Sequence, residues 1–425
     1  MTPDTALGSV RVSTLDNGLR VASDRMAGVD TVSLGVWAAI GTRHEPPAVN
    51  GVSHLLEHMA FKGTERRSAR DIAVEMEAVG GQINAYTTRE RTAYYAKMLA
   101  EDLPLALDIL ADILQHSTYH PEELARERQV ILQEIGQAED TPDDIVFDHF
   151  QAVAFPDQAL GRPVLGEAAI VERLTREEVA GYLKQNYGPA HLVLAAAGQV
   201  EHERLVALAH KLFGDLPKGA PPAPEPARFA AGDRRTKRDL EQLHLVLGFP
   251  GVGYLDPDYY AQTVLSTVYG GGMSSRLFQE IREKRGLVYN IYSFAAPYAD
   301  GGMFAVYAGT GEREVGELLP LVAEELLRLP TTLEPAELAR AKAQLRADIL
   351  MARESTSARA EQLAQQLLAY GRPLPTTEIV ARIEAVDAAA VERLARGLAA
   401  GPLAFTALGP LGRLPKPAAL AGMFG

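Results

Sequence analysis

Cysteine is absent from the 425 residues of the chain. Disulfides, thiolate metal sites and cysteine nucleophiles are therefore excluded, and any metal site has to be built from histidine and carboxylates. An excess of positive charge is also missing. Lys and Arg number 42 against 55 Asp and Glu, for a formal net charge of −13. A nucleic-acid partner favours a basic surface, as does an anionic membrane, so neither is expected. No apolar run approaches the roughly 20 residues of a membrane span. The stretch from Met1 to Arg11 lacks the basic start and apolar core of a signal peptide. These absences predict a cytoplasmic protein.

What is present fits a soluble globular protein, with 47% apolar and 23% charged residues. The length suits two large domains. Five prolines follow Leu216 in the stretch GDLPKGAPPAPEP, which ends at Pro226. Such a run continues neither a helix nor a central strand and reads as a semi-extended linker. With the linker at 216–234, the chain divides into an N-terminal domain, 1–215, and a C-terminal domain, 235–425. The two look like distant repeats. Each opens on a β-rich segment, VSLGVWAAIGT or LHLVLGFPG, and continues through a helix-like stretch. A Gly-containing turn and strand follow, GGQINAYTTRERTAYYAKM in the first half and GLVYNIYSFAAPYADGGMFAVYAG in the second. Alternating Tyr, Thr and Val fit strands with one face toward solvent. Amphipathic helices then close each half, LPLALDILADILQH and VGELLPLVAEELLRL. The expected fold class is α+β, with two similar domains, each a mainly antiparallel sheet with helices packed on it.

The densest chemistry lies in NGVSHLLEHMAFKGT, from Asn50 to Thr64. Residues three and four apart on a helix share a face, so His54, Glu57 and His58 can meet one ion while Leu55 and Leu56 enter the core. Asn50 or Ser53 is placed to cap the helix start. Two imidazoles need a third protein ligand, and a fourth position open for water. Glu57 is poorly suited to be that ligand if it also acts as base. The segment HPEELARERQVILQEIGQAEDTPD supplies another carboxylate. Pro121 fits a first helical turn, and Leu124, Val130, Ile131 and Ile135 follow helical spacing. Glu134 falls on the inward side of that pattern. Glu127, seven residues earlier on the same face, is positioned to orient a ligand histidine. The order His-x-x-Glu-His is the inverted form of the zinc-peptidase motif.

At these residues the sequence resembles the pitrilysin or insulinase family of metallopeptidases. It is most similar to the compact bacterial members and to the catalytic subunit of mitochondrial processing peptidase. The matching segments are GVSHLLEHMAFKGT, GGQINAYTTRERTAYYAKM, ARERQVILQEI, QNYGPAHLVLAAAGQV and GGGMSSRLFQEIREKRGLVYNIYS, which span nearly the whole chain. In the family the third ligand is a glutamate 76 residues after the second histidine, and Glu134 stands at that distance from His58. The resemblance implies one zinc ion per chain held by His54, His58 and Glu134, with Glu57 as general base and Glu127 behind a ligand. It implies a substrate edge strand at Asn84, Ala85 and Tyr86. It also implies an arginine and tyrosine seven residues apart in the zinc-free half, matched by Arg282 and Tyr289. The family builds a clamshell chamber from two half-molecules. This chain carries both the zinc motif and the Arg/Tyr pair, which favours a homodimer acting on peptides, with a heterodimer as the alternative. The rival function is a non-catalytic or partner-dependent subunit of a processing-peptidase-like complex.

Overall fold

The computed structural model describes residues 5–217, 219–221 and 223–424. Of the expected linker, Lys218 and Pro222 lie outside the described residues. The chain forms two compact units. Unit 1 comprises Met1–Ile135, Arg162–Glu225 and Met351–Pro375, and unit 2 comprises Gly136–Gly161, Pro226–Leu350 and Thr376–Gly425. Among the described residues, no helix is long and apolar enough to cross a membrane.

Unit 1 is built on seven strands: β1 (Thr5–Leu7), β2 (Val10–Thr14), β3 (Arg20–Arg25), β4 (Thr31–Ala38), β5 (Gln82–Thr87), β6 (Thr92–Leu99) and β7 (Leu192–Gly198). Their spatial order is β1-β2-β3-β7-β4-β6-β5. Unit 2 has five: β8 (Gly232–Lys237), β9 (Leu243–Gly251), β10 (Val288–Pro297), β11 (Gly302–Thr310) and β12 (Ala404–Gly409). Their order is β10-β11-β9-β12-β8. Reading β3, β7, β4, β6, β5 against β8, β12, β9, β11, β10 gives one topology twice. In each sheet the first pair of that series is parallel and the others are antiparallel. The repeat inferred from element order is thus a repeat of strand connectivity, and the sheets are mainly antiparallel as expected.

Alternation along the strands of unit 1 separates two cores. Val32, Leu34 and Val36 of β4 and Leu192, Leu194 and Ala196 of β7 join one, together with the helices α1 (Val52–Ala60), α2 (Ala69–Ala78), α3 (Leu103–Gln115) and α4 (Pro121–Glu139). Trp37, Ala93, Val193, Ala195 and Ala197 face the other way, onto Ala360, Leu363, Ala364 and Leu367 of the helix Thr356–Tyr370. The solvent-facing side expected for β5 and β6 is therefore partly covered, with Ala93 buried and Tyr86 and Tyr95 packed against the same cluster, and β7 is buried along its whole length. The covering helix comes from beyond the linker. Unit 2 is completed in the same manner by α5 (Pro142–Ala154), whose Val146, Phe150 and Ala154 pack with Val246, Ala404 and Leu408 of its sheet. The units are therefore not continuous lengths of chain on either side of 216–234. Each takes its outer helix from the other half of the sequence.

Candidate metal centre

Helix α1 begins behind Gly51, whose φ of 93° is a left-handed conformation that glycine tolerates. A Cβ on Gly51 would stand 2.8 Å from Gly166 Cα, so this position also requires the missing side chain. Gly51 offers no cap, and Asn50 and Ser53 do not supply one. The cap comes from Glu45, in the loop before α1. Glu45 Oε2 accepts from Gly51 N at 2.8 Å and from Asn50 Nδ2 at 2.9 Å, and Oε1 accepts from Ser53 N at 2.8 Å. This carboxylate is 2% exposed and satisfies two of the orphan N–H groups at the helix start. Asn50 instead accepts from Glu167 N, and Ser53 donates to Tyr182 Oη.

From that anchored start, Leu55 and Leu56 enter the core and His54, Glu57 and His58 share the opposite face. Helix α4 crosses that face with Leu124, Glu127, Ile131 and Glu134 on one stripe. Val130, grouped with the apolar positions by spacing, is 38% exposed. Glu134 Oε2 lies 3.7 Å from His54 Nε2 and 3.6 Å from His58 Nε2. Two atoms each about 2.1 Å from a tetrahedral zinc are about 3.4 Å apart, so the three atoms fit one ion. Glu134 Oε2 is buried with no hydrogen-bond partner, which leaves its lone pairs for a cation. Among the described residues this trio is the sole cluster of its kind. Glu127 Oε2 accepts from His58 Nδ1 at 2.9 Å, which turns Nε2 toward Glu134.

Burial, with His58 nearby, pushes the His54 imidazole down to about 4, so its ring is neutral at pH 7 and available as a ligand. Burial also raises the Glu57 carboxyl, and Glu134 adds to the effect, while Thr87 and His58 act in the opposite direction. Thr87 was not singled out from the sequence. It ends β5 two residues after Ala85, on the face that meets α1, and this periodicity was the available signal.

Comparison with known proteins agrees with this geometry. Residues 20–168 match the model of the insulinase family, peptidase family M16, and residues 173–345 match the M16 inactive domain. The chain belongs to the M16 metallopeptidase family. An uncharacterised zinc protease of Streptomyces coelicolor is 40% identical over 95% of this chain and 90% of its own length. A probable mitochondrial-processing peptidase subunit beta of Arabidopsis thaliana is 40% identical over 95% of this chain and 79% of its own. The crystal structure of a protease from Helicobacter pylori has the same fold, with a TM-score of 0.90, 23% identity, and coverage of 95% of this chain and all of that one. The chain is a zinc-dependent metallopeptidase, and its His54–His58–Glu134 cluster is compatible with the zinc site.

Asn84, Ala85 and Tyr86 lie on β5, which ends the strand order of its sheet and leaves one edge unpaired by any described strand. Ala85 is buried in the core beside α1, and Asn84 is exposed. The Tyr86 side chain turns to the other face, where its hydroxyl donates to Glu361 at 2.9 Å. Arg282 and Tyr289 belong to unit 2, not to the unit that holds the metal cluster. Arg282 is exposed, with its guanidinium 4.7 Å from the centre of the Phe278 ring. Tyr289, on β10, is 77% exposed. His202 is a core residue whose ring nitrogens meet Ser13 Oγ at 2.9 Å and Ser23 Oγ at 2.8 Å.

Proposed function

We propose that this M16 chain is an endopeptidase that hydrolyses peptides or unfolded polypeptide segments, with His54, His58 and Glu134 as zinc ligands and Glu57 as general base. The observation that carries this reading is the approach of both Nε2 atoms to Glu134 Oε2, at 3.6 and 3.7 Å, on the helix face that also bears Glu57. Zinc bound there acidifies water and polarises the scissile carbonyl. Glu57 takes a proton from the attacking water and passes it to the leaving amine nitrogen. Its raised carboxyl pKa suits that exchange. The peptide adds as a strand along β5, held by backbone bonds at Asn84, Ala85 and Tyr86, and this makes recognition largely independent of side chains. In the dimer, Arg282 and Tyr289 of one protomer serve as donors to the oxyanion developing at the metal cluster of the other.

The working form is a homodimer whose chamber admits extended chains, and its compartment is the cytoplasm. The heterodimer is kept as a second reading because of the relatives named as a subunit beta. The test is hydrolysis of a quenched fluorescent peptide by the purified chain, with zinc content and mass in solution measured on the same sample. Stoichiometric zinc and cleavage by a species of twice the 45.9 kDa chain mass support the reading. Zinc without cleavage supports the partner-dependent subunit. A chain without zinc refutes the ligand assignment.

A further inference from the structure

Glu127 does more than face His58. Its two carboxylate oxygens are used separately: Oε2 takes His58 Nδ1 at 2.9 Å and Oε1 takes Lys62 Nζ at 2.8 Å. The Glu127 side chain is 7% exposed and that of Lys62 31%, so the pair is screened less than a surface ion pair. Lys62 lies just beyond the end of α1, where its N–H donates to Met59 O at 3.1 Å. Both groups that hold Glu127 therefore come from the α1 segment, while Glu127 belongs to α4. The two helices that carry the metal cluster are joined at this carboxylate.

We propose that Lys62 is a positioning residue for zinc, acting through Glu127 to fix the His58 ring. The inference rests on the ligand assignment proposed above. With Lys62 in place, the carboxylate is held at both oxygens and has one orientation from which to receive His58 Nδ1. Without it, Oε1 is left largely buried and unpaired, and the carboxylate turns to recover a partner at the expense of the His58 bond. Loss of a group that orients a ligand histidine weakens metal binding by about 10- to 100-fold, and Lys62 acts one step further out, so about tenfold is expected.

The test is zinc affinity, measured by competition with a chromophoric chelator at fixed pH on the full chain. Wild type, Lys62→Met, Lys62→Arg, Glu127→Gln and the Lys62→Met/Glu127→Gln double variant are compared, with thermal unfolding of each metal-free protein alongside. The expected result is about tenfold weaker zinc binding for Lys62→Met. Arg at position 62 should restore it, and Lys62→Met should have little further effect in the Glu127→Gln background. Wild-type affinity in Lys62→Met, or an equal loss from that change with and without Glu127, overturns the inference. Metal-free unfolding separates a general loss of stability, which the arginine variant and the double variant would not track. Failure of the underlying assignment looks different: wild type itself would bind no zinc, or His54→Ala would bind it as tightly as wild type.

Discussion

Glu45 and Glu57 are both carboxylates whose pKa is raised by burial, but their surroundings set them to different tasks. Glu45 accepts three hydrogen bonds, two of them from the backbone at the start of α1. Glu57 Oε2 has no hydrogen-bond partner and is free to exchange a proton. Replacing Glu45 by alanine is expected to cost about 1–3 kcal/mol in urea unfolding, because two helix-start N–H groups are left buried without an acceptor. Replacing Glu57 by glutamine should leave zinc content and melting temperature near wild type and lower kcat by about 10²- to 10⁴-fold. Normal turnover in that variant would remove Glu57 from the proposed mechanism. The spacing of His54, Glu57 and His58 was legible because helical neighbours follow from sequence distance alone. Glu45 was not, because the chain has to turn at Gly51 before a residue of the preceding loop can reach the helix start.

Among the elements, α3 and the loop after α1 are joined by a charged network. Arg66 and Arg67 converge on Asp112, which also accepts from Thr64 Oγ1 at 2.8 Å. Burial pushes the Asp112 carboxyl up, but the bonds from Thr64, Arg67 and Arg66 outweigh it and hold it below the ordinary aspartate range. The folded pKa is thus lower than the unfolded one, about 3.9. The stability from this group is present above that value and is lost as pH falls through the folded pKa. Asp112→Asn should therefore be less stable than wild type at pH 7, by about 3 kcal/mol, with the difference narrowing as the pH falls below about 4. Urea midpoints measured across that range check the sign. At the same scale, the stripe of Leu124, Glu127, Ile131 and Glu134 shows why α4 was readable: one period of 3.6 carries both its core contacts and its carboxylates. The partner of the Tyr86 side chain, Glu361 of the covering helix, was not readable for the complementary reason. Alternation assigns residues to faces, but does not say which face a helix from elsewhere will cover.

For the whole molecule, the exchange of outer helices has a measurable consequence. A fragment of residues 1–215 lacks Thr356–Tyr370, the helix that covers Trp37, Val193 and Ala195, and it keeps α5 without the sheet that buries Phe150. Such a fragment is expected to bind a hydrophobic dye and unfold without a sharp transition, whereas the full chain melts cooperatively. A soluble, cooperatively folded 1–215 would show that unit 1 does not depend on the distant helix.

By itself the sequence determined the class of the fold, the doubled strand pattern and the chemistry of the metal cluster. These follow from local periodicity and from ligand types at helical spacing, and the distant carboxylate, Glu134, was legible both as an inward residue of its helix and from the resemblance to the family. Only the tertiary structure decided that Glu45 caps α1, that Lys62 shares Glu127 with His58, and that each sheet is covered by a helix from the other half of the chain. The Glu45 contacts reach across a turn of the chain and the others join residues tens to hundreds of positions apart, and two apolar faces of similar size and period carry no local mark of which partner they will meet.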